Sequence, residues 1–169
     1  KLWLLHRLFI SVVGCQVGER SLTKLGEAII HFKDLKKLYL FFNDCANIND
    51  IGLLKFANTL KEKHLIQEFC LDLGNCQGIL NVNNCIQALL DAITMMSELK
   101  ALGLSFDNNP NLELSQTLSN FELNKHCFNL EEICISLSGC PQIEDHAVYC
   151  LLAGIPSSLL KKINLNLTQ

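Results

Sequence analysis

One spacing recurs along this chain, and it constrains the fold more than any single residue does. Leu35, Leu38, Leu40 and Phe42 are apolar at steps of three, two and two, and Cys45 follows three residues later. The same frame fits Leu5, Leu8, Ile10, Val12 and Cys15, then Ile66, Phe69, Leu71, Leu73 and Cys76. It returns as Leu99, Leu102, Leu104, Phe106 and Asn109, as Leu130, Ile133, Ile135, Leu137 and Cys140, and in part as Leu160, Ile163, Leu165 and Leu167. The anchors at 15, 45, 76, 109 and 140 stand 30, 31, 33 and 31 residues apart. A period of that length belongs to stacked arrays, in which each unit buries its apolar face only against its neighbours. The expectation is a solenoid.

Within a copy, Leu38, Leu40 and Phe42 point one way and Tyr39, Phe41 and Asn43 the other. Period two predicts a strand with one buried face. Three residues past each anchor another apolar residue follows, Ile48, Ile79, Leu112 and Ile143. The period then changes to the 3–4 spacing of a helix. It runs through Leu22, Leu25, Ala28, Ile29 and Phe32; Leu53, Leu54, Ala57 and Leu60; Leu89, Leu90, Ile93 and Met96; and Ala147, Val148, Leu151 and Leu152. Asp50 and Asp145 precede two of these stretches and are expected to cap them. The fold class is therefore α/β: six parallel strands in one sheet, joined by helical crossovers. The extra residues of the 33-residue copy are expected to bulge at Asn81 to Cys85.

The pattern L-x-x-L-x-L-x-L-x-x-C-x-x-I followed by a helix resembles the leucine-rich repeat family, closest to its cysteine-bearing, ribonuclease-inhibitor-like types. Phe42, Leu73, Phe106 and Leu137 add a step that standard repeats lack. That longer strand, with abundant asparagine, is similar to the expanded repeat families of ciliated protists. The resemblance spans residues 1–169 as one array. It implies a horseshoe arc with the sheet concave and the helices convex. It also implies that each anchor Cys or Asn bonds to backbone groups of the turn in a neighbouring copy. The chain lacks an initiator methionine and stops one residue short of the next anchor, so a piece of a longer array is expected.

Composition narrows the function classes. Net charge is −3 with only Arg7 and Arg20 as arginines, and no basic face assembles of the kind nucleic-acid binding needs. The apolar stretch from Leu2 to Val13 carries His6 and Arg7 and falls short of the ~20 residues of a spanning helix, so no membrane role is expected. The cysteines number nine, and four return in one frame (15, 45, 76, 140), the mark of buried structural thiols rather than a disulfide framework. A reducing cytoplasmic location follows as the expectation, with cytoskeletal or ciliary association compatible with it.

Chemistry-bearing constellations are weak. Cys134, Cys140, His146 and Cys150 form the densest Cys/His cluster, yet no C-x-x-C pair is present and two of the four are explained by the frame. No nucleophile elbow or phosphate loop occurs. Neither a catalytic residue nor a cofactor or metal is expected. Charged pairs at the strand starts, Lys36-Lys37, Gln67-Glu68, Lys100-Ala101, Glu131-Glu132 and Lys161-Lys162, read as a solvated rim whose opposite charges meet across neighbouring strands.

The outward strand residues carry the functional expectation, because leucine-rich repeat proteins commonly bind partners on their concave sheet. Across the strands they form three rows. The first is Phe9, Tyr39, Cys70, Gly103, Cys134 and Asn164; the second is Ser11, Phe41, Asp72, Ser105, Ser136 and Asn166; the third is Val13, Asn43, Gly74, Asp107, Ser138 and Thr168. The expected partner-binding residues are the patch Phe9, Val13, Tyr39 and Phe41, with Asn43, Asp72 and Asp107 in the polar groove beside it. The expected function is a non-catalytic scaffold for a protein partner within a larger assembly. The alternative is a regulatory module, an enzyme inhibitor or a GTPase activator, for which Arg7 and Arg20 are the available arginines.

Overall fold

Six five-residue strands form the backbone of the molecule: β1 (Arg7–Ser11), β2 (Lys37–Phe41), β3 (Glu68–Asp72), β4 (Ala101–Ser105), β5 (Glu132–Ser136) and β6 (Lys162–Asn166). They make one sheet in chain order, every neighbouring pair parallel. The structure is a computed structural model and describes residues 4–80, 82–112 and 122–168, the side chains of residues 82 and 83 excepted. Between the strands lie helices α1 (Glu19–Ile30), α2 (Asp50–Leu60), α3 (Val82–Thr94), α4 (Leu123–His126) and α5 (Asp145–Gly154). The fold is α/β, and its strand order is compatible with a solenoid-like arc.

Register follows the sequence frame position by position. Leu38 pairs with Leu8 and Phe69, and Leu40 with Ile10 and Leu71. Leu38 and Leu40 are fully buried, as are Leu53, Phe56 and Leu60 of α2, and all belong to one apolar cluster between sheet and helices. The flanks are thinner. Leu8 and Ile10 of β1 are only half-buried, and Ile163 of β6 is 53% exposed.

A second lattice runs along the turns. The Cys45 thiol donates to the Val12 carbonyl at 3.0 Å, Cys76 to Phe42 at 3.2 Å, and Cys140 to Phe106 at 3.2 Å. Asn109 takes the thiol's place, its Nδ2 donating to Leu73 at 2.9 Å and Phe106 at 2.8 Å. Carbonyls buried where the chain leaves the sheet need such donors. Asn109 Oδ1 is buried and accepts no hydrogen bond among the described residues, so only the donors of the side-chain amide are used. Just before each anchor the backbone is left-handed: Gly14 (φ 66°), Asp44 (59°), Asn75 (58°), Asn108 (54°) and Gly139 (67°). Gly, Asn and Asp tolerate that region best. Ile48, Ile79 and Leu112, three past the anchors, are buried, and Ile143 is half-buried.

Three expectations are corrected. Asp50 and Asp145 are not caps but the first residues of α2 and α5. Asn49 caps α2, accepting from the Gly52 amide at 2.9 Å, and Glu144 precedes α5 without a side-chain cap. The Asp50 carboxylate instead accepts from the Leu80 amide at 3.1 Å, in the next copy. Residues 82–85 do not bulge but open α3, which at 13 residues is the longest helix described; Asn81 lies outside the described residues. Ala28 faces solvent and Leu152 is 50% exposed, so the apolar stripes of α1 and α5 are narrower than their spacing suggested.

Candidate functional site on the open sheet face

The sheet face away from the helices presents the first two rows as the sequence orders them. Phe9, Tyr39, Cys70, Gly103, Cys134 and Asn164 are register partners, and so are Ser11, Phe41, Asp72, Ser105, Ser136 and Asn166. The third row lies just past the strands, where backbone bonds such as Gly14 N to Asn43 O (2.9 Å) and Asn75 N to Asp107 O (2.8 Å) extend the pairing.

Three of the four expected apolar residues meet. The Phe9 ring lies 5.3 Å from Phe41 and 6.4 Å from Tyr39, both tilted. Such spacings are those of favourable aromatic pairs. Phe9 is 58% exposed and Val13 52%, whereas Tyr39 and Phe41 are half-buried. Around Tyr39 the structure adds residues absent from the sequence expectation. The Arg7 guanidinium sits 5.1 Å above its ring, and its hydroxyl donates to the Glu68 carboxylate, which also pairs with Lys37 at 2.6 Å. Burial first, then the bond to Glu68, pushes the Tyr39 hydroxyl up to about 12. The bonds from Lys37 and Tyr39 hold the Glu68 carboxyl below its usual range. Sequence reasoning placed Lys37 and Glu68 on the rim but not beneath Tyr39, because a tyrosine hydroxyl reaches past its own row.

The polar groove is less available than expected. Asp72 accepts from Asn43 Nδ2 at 2.6 Å and from the Gly74 amide at 3.0 Å. Asp107 accepts from Ser136 Oγ at 2.6 Å and the Ser138 amide at 2.8 Å. Both carboxylates thus tie neighbouring turns together, and Asp107 is separated from the aromatic cluster by the β3 rung. In the first row Gly103 leaves a notch of about 120 Å³, flanked by Cys70 and Cys134. A side chain at Gly103 would crowd the Cys70 sulfur, 3.1 Å from where its Cβ would stand.

A comparison with protein-family models and with curated proteins finds no match. The chemistry of the face therefore rests on its own residues. Burial pushes the Cys70 thiol up to about 11, which makes it a poor nucleophile at neutral pH. The Cys/His cluster weighed in the sequence is dispersed: Cys140 bonds to Phe106, Cys134 lies on the open face, and Cys150 contacts His146 within α5 at 3.6 Å. Among the described residues no group of three or more His, Cys, Asp or Glu converges, and no helix is long and apolar enough to cross a membrane. All nine cysteines are free thiols.

Proposed function

We propose that this chain is a leucine-rich repeat array that acts as a non-catalytic scaffold, with a protein partner seated on the open sheet face at the β1–β2 end. The observation that carries this reading is the Phe9–Phe41–Tyr39 cluster, with Phe9 58% exposed on a sheet that cannot collapse over it. Exposed aromatics held on a rigid surface are the residues that dominate protein interfaces. The in-register sheet and the anchor-to-carbonyl ladder support the array. Arg7 and the Lys37–Glu68 pair give the cluster a charged border of both signs, as interface rims have. Nine free thiols suit a reducing, cytoplasmic compartment and a place inside a larger assembly.

The test is cross-linking capture with the wild-type chain, Phe9→Ala/Phe41→Ala, and Asn164→Ala at the far end of the first row. The captured partner's affinity is then measured for each. The reading expects the aromatic double variant to weaken binding at least about tenfold, with Asn164→Ala unchanged. A partner that binds the double variant as tightly as wild type would remove the aromatic end from the interface.

A further inference from the structure

Away from the open face, one lysine is in an unusual position. Lys63 follows α2 at the place where three other copies carry Phe32, Met96 and Cys127, and only 6% of it is exposed. Its ammonium donates to a single acceptor, the Phe32 carbonyl at 2.7 Å, and makes no ion pair with any carboxylate among the described residues. An ammonium has three donors, and a buried charge is ordinarily paired or neutralised. Phe32 lies just past the C-terminal end of α1, whose partial negative charge favours a cation but does not balance it.

Beside Lys63 opens a cleft of about 460 Å³ between the loops that follow α1 and α2. Ile30, Leu35 and Leu65 supply apolar walls, and Lys33 and His64 add further basic groups. Glu62 also lines the cleft but is exposed and does not reach Lys63. Burial lowers the lysine's proton affinity, and no carboxylate among the described residues pairs with it to offset that.

We infer that this cleft binds a small organic carboxylate, its anionic head on Lys63 and its apolar body against Ile30, Leu35 and Leu65. The carboxylate supplies the missing counter-ion through a charge-assisted hydrogen bond, and Lys33 reinforces the positive field at the mouth. A neutral ligand of the same shape gains the apolar contacts but leaves the ammonium uncompensated. The site is independent of the partner surface on the open face.

The experiment is calorimetric titration of the whole chain with hexanoate and with hexanamide, alongside Lys63→Met. Methionine is the buried residue at the equivalent position 96, so the variant keeps an apolar fill of similar size. Hexanoate should bind saturably, and both the amide ligand and the Lys63→Met substitution should lose at least about tenfold in affinity. In parallel, NMR of isotopically labelled lysine should show the Lys63 ammonium titrating at higher pH when hexanoate is bound; this readout needs no variant. Absence of saturable hexanoate binding, unchanged affinity in Lys63→Met, or an unmoved Lys63 titration would each overturn the assignment.

Discussion

Leu40 and Phe41 are adjacent on β2 and similar in hydrophobicity, yet their surroundings differ completely. Leu40 is fully buried under the helices, between Ile10 and Leu71 on either side. Phe41 is half-buried on the open face, touching Phe9 and standing beside the Asp72 that ties the next turn. Packing is thus confined to one face of these five residues, and the proposed recognition surface lies on the other. The helix-facing side is closed by packing, and the turn carbonyls by donors from the next copy. The open side holds a loose aromatic cluster at one end and hydrogen-bonded polar groups across the rest.

The largest effect should come from hollowing the closed side. Leu71→Ala and Leu104→Ala each remove a buried side chain from the middle of the sheet and should cost roughly 2–5 kcal/mol by denaturant unfolding. If neither exceeds about 1 kcal/mol, the face assignment is reversed. Gly78→Ala should follow, because its Cβ would crowd the Ile48 carbonyl and stand 2.6 Å from the Ala46 carbonyl in the preceding turn. Backbone shifts of that kind cost about 1–3 kcal/mol. Asn109→Ala should cost about 1–3 kcal/mol as well, since the Leu73 and Phe106 carbonyls lose the amide donor and keep only the Cys76 amide and the Cys140 thiol. A neutral result would mean that those carbonyls find other partners and the ladder is dispensable.

Smaller effects sharpen the contrast without unfolding the chain. Burial pushes the Cys76 thiol up to about 12 and Cys127 up to about 11, so a thiol reagent at neutral pH should label exposed Cys15 and Cys134 well before either. Quantitative labelling by mass spectrometry reads this directly. On the open face, Tyr39 is raised and therefore favours its neutral form in the fold. Its contribution is complete below the ordinary tyrosine range near 10 and is lost as pH rises towards about 12. Ultraviolet titration should show one tyrosine ionising near 12, and Glu68→Gln should bring it down. Glu68 has the opposite sign: its lowered value stabilises the fold above the usual carboxylate range and is lost as pH falls through the native value.

Much of the lattice was legible in the sequence because its determinants are strictly periodic. The frame gave the inward residues, the strand register and the three outward rows, since each depends on one residue type returning at one place; the bonding of the anchors to the turns came only from the resemblance to leucine-rich repeats. What escaped depends on contacts between copies at unequal positions. Asp50 was expected to cap its own helix, but its carboxylate reaches the Leu80 amide one copy on. Asp72 and Asp107, expected among the partner-binding residues, also close neighbouring turns, a role that no single copy displays. The left-handed residue before each anchor, Gly14, Asp44, Asn75, Asn108 and Gly139, was readable from composition alone: all five are Gly, Asn or Asp. Lys63 stands in a row where three other copies carry Phe32, Met96 and Cys127, a signal visible only once the loops were aligned as the strands were.

Equilibrium unfolding of Leu40→Ala beside Phe41→Ala tests the division between the two faces most directly. The two sites share a strand and a neighbourhood, so differences in the unfolded chain are small. Leu40→Ala should lose roughly 2–5 kcal/mol and Phe41→Ala less than about 1 kcal/mol, because only the first leaves a closed cavity. Comparable losses at both positions, or a larger loss for Phe41→Ala, would contradict the account.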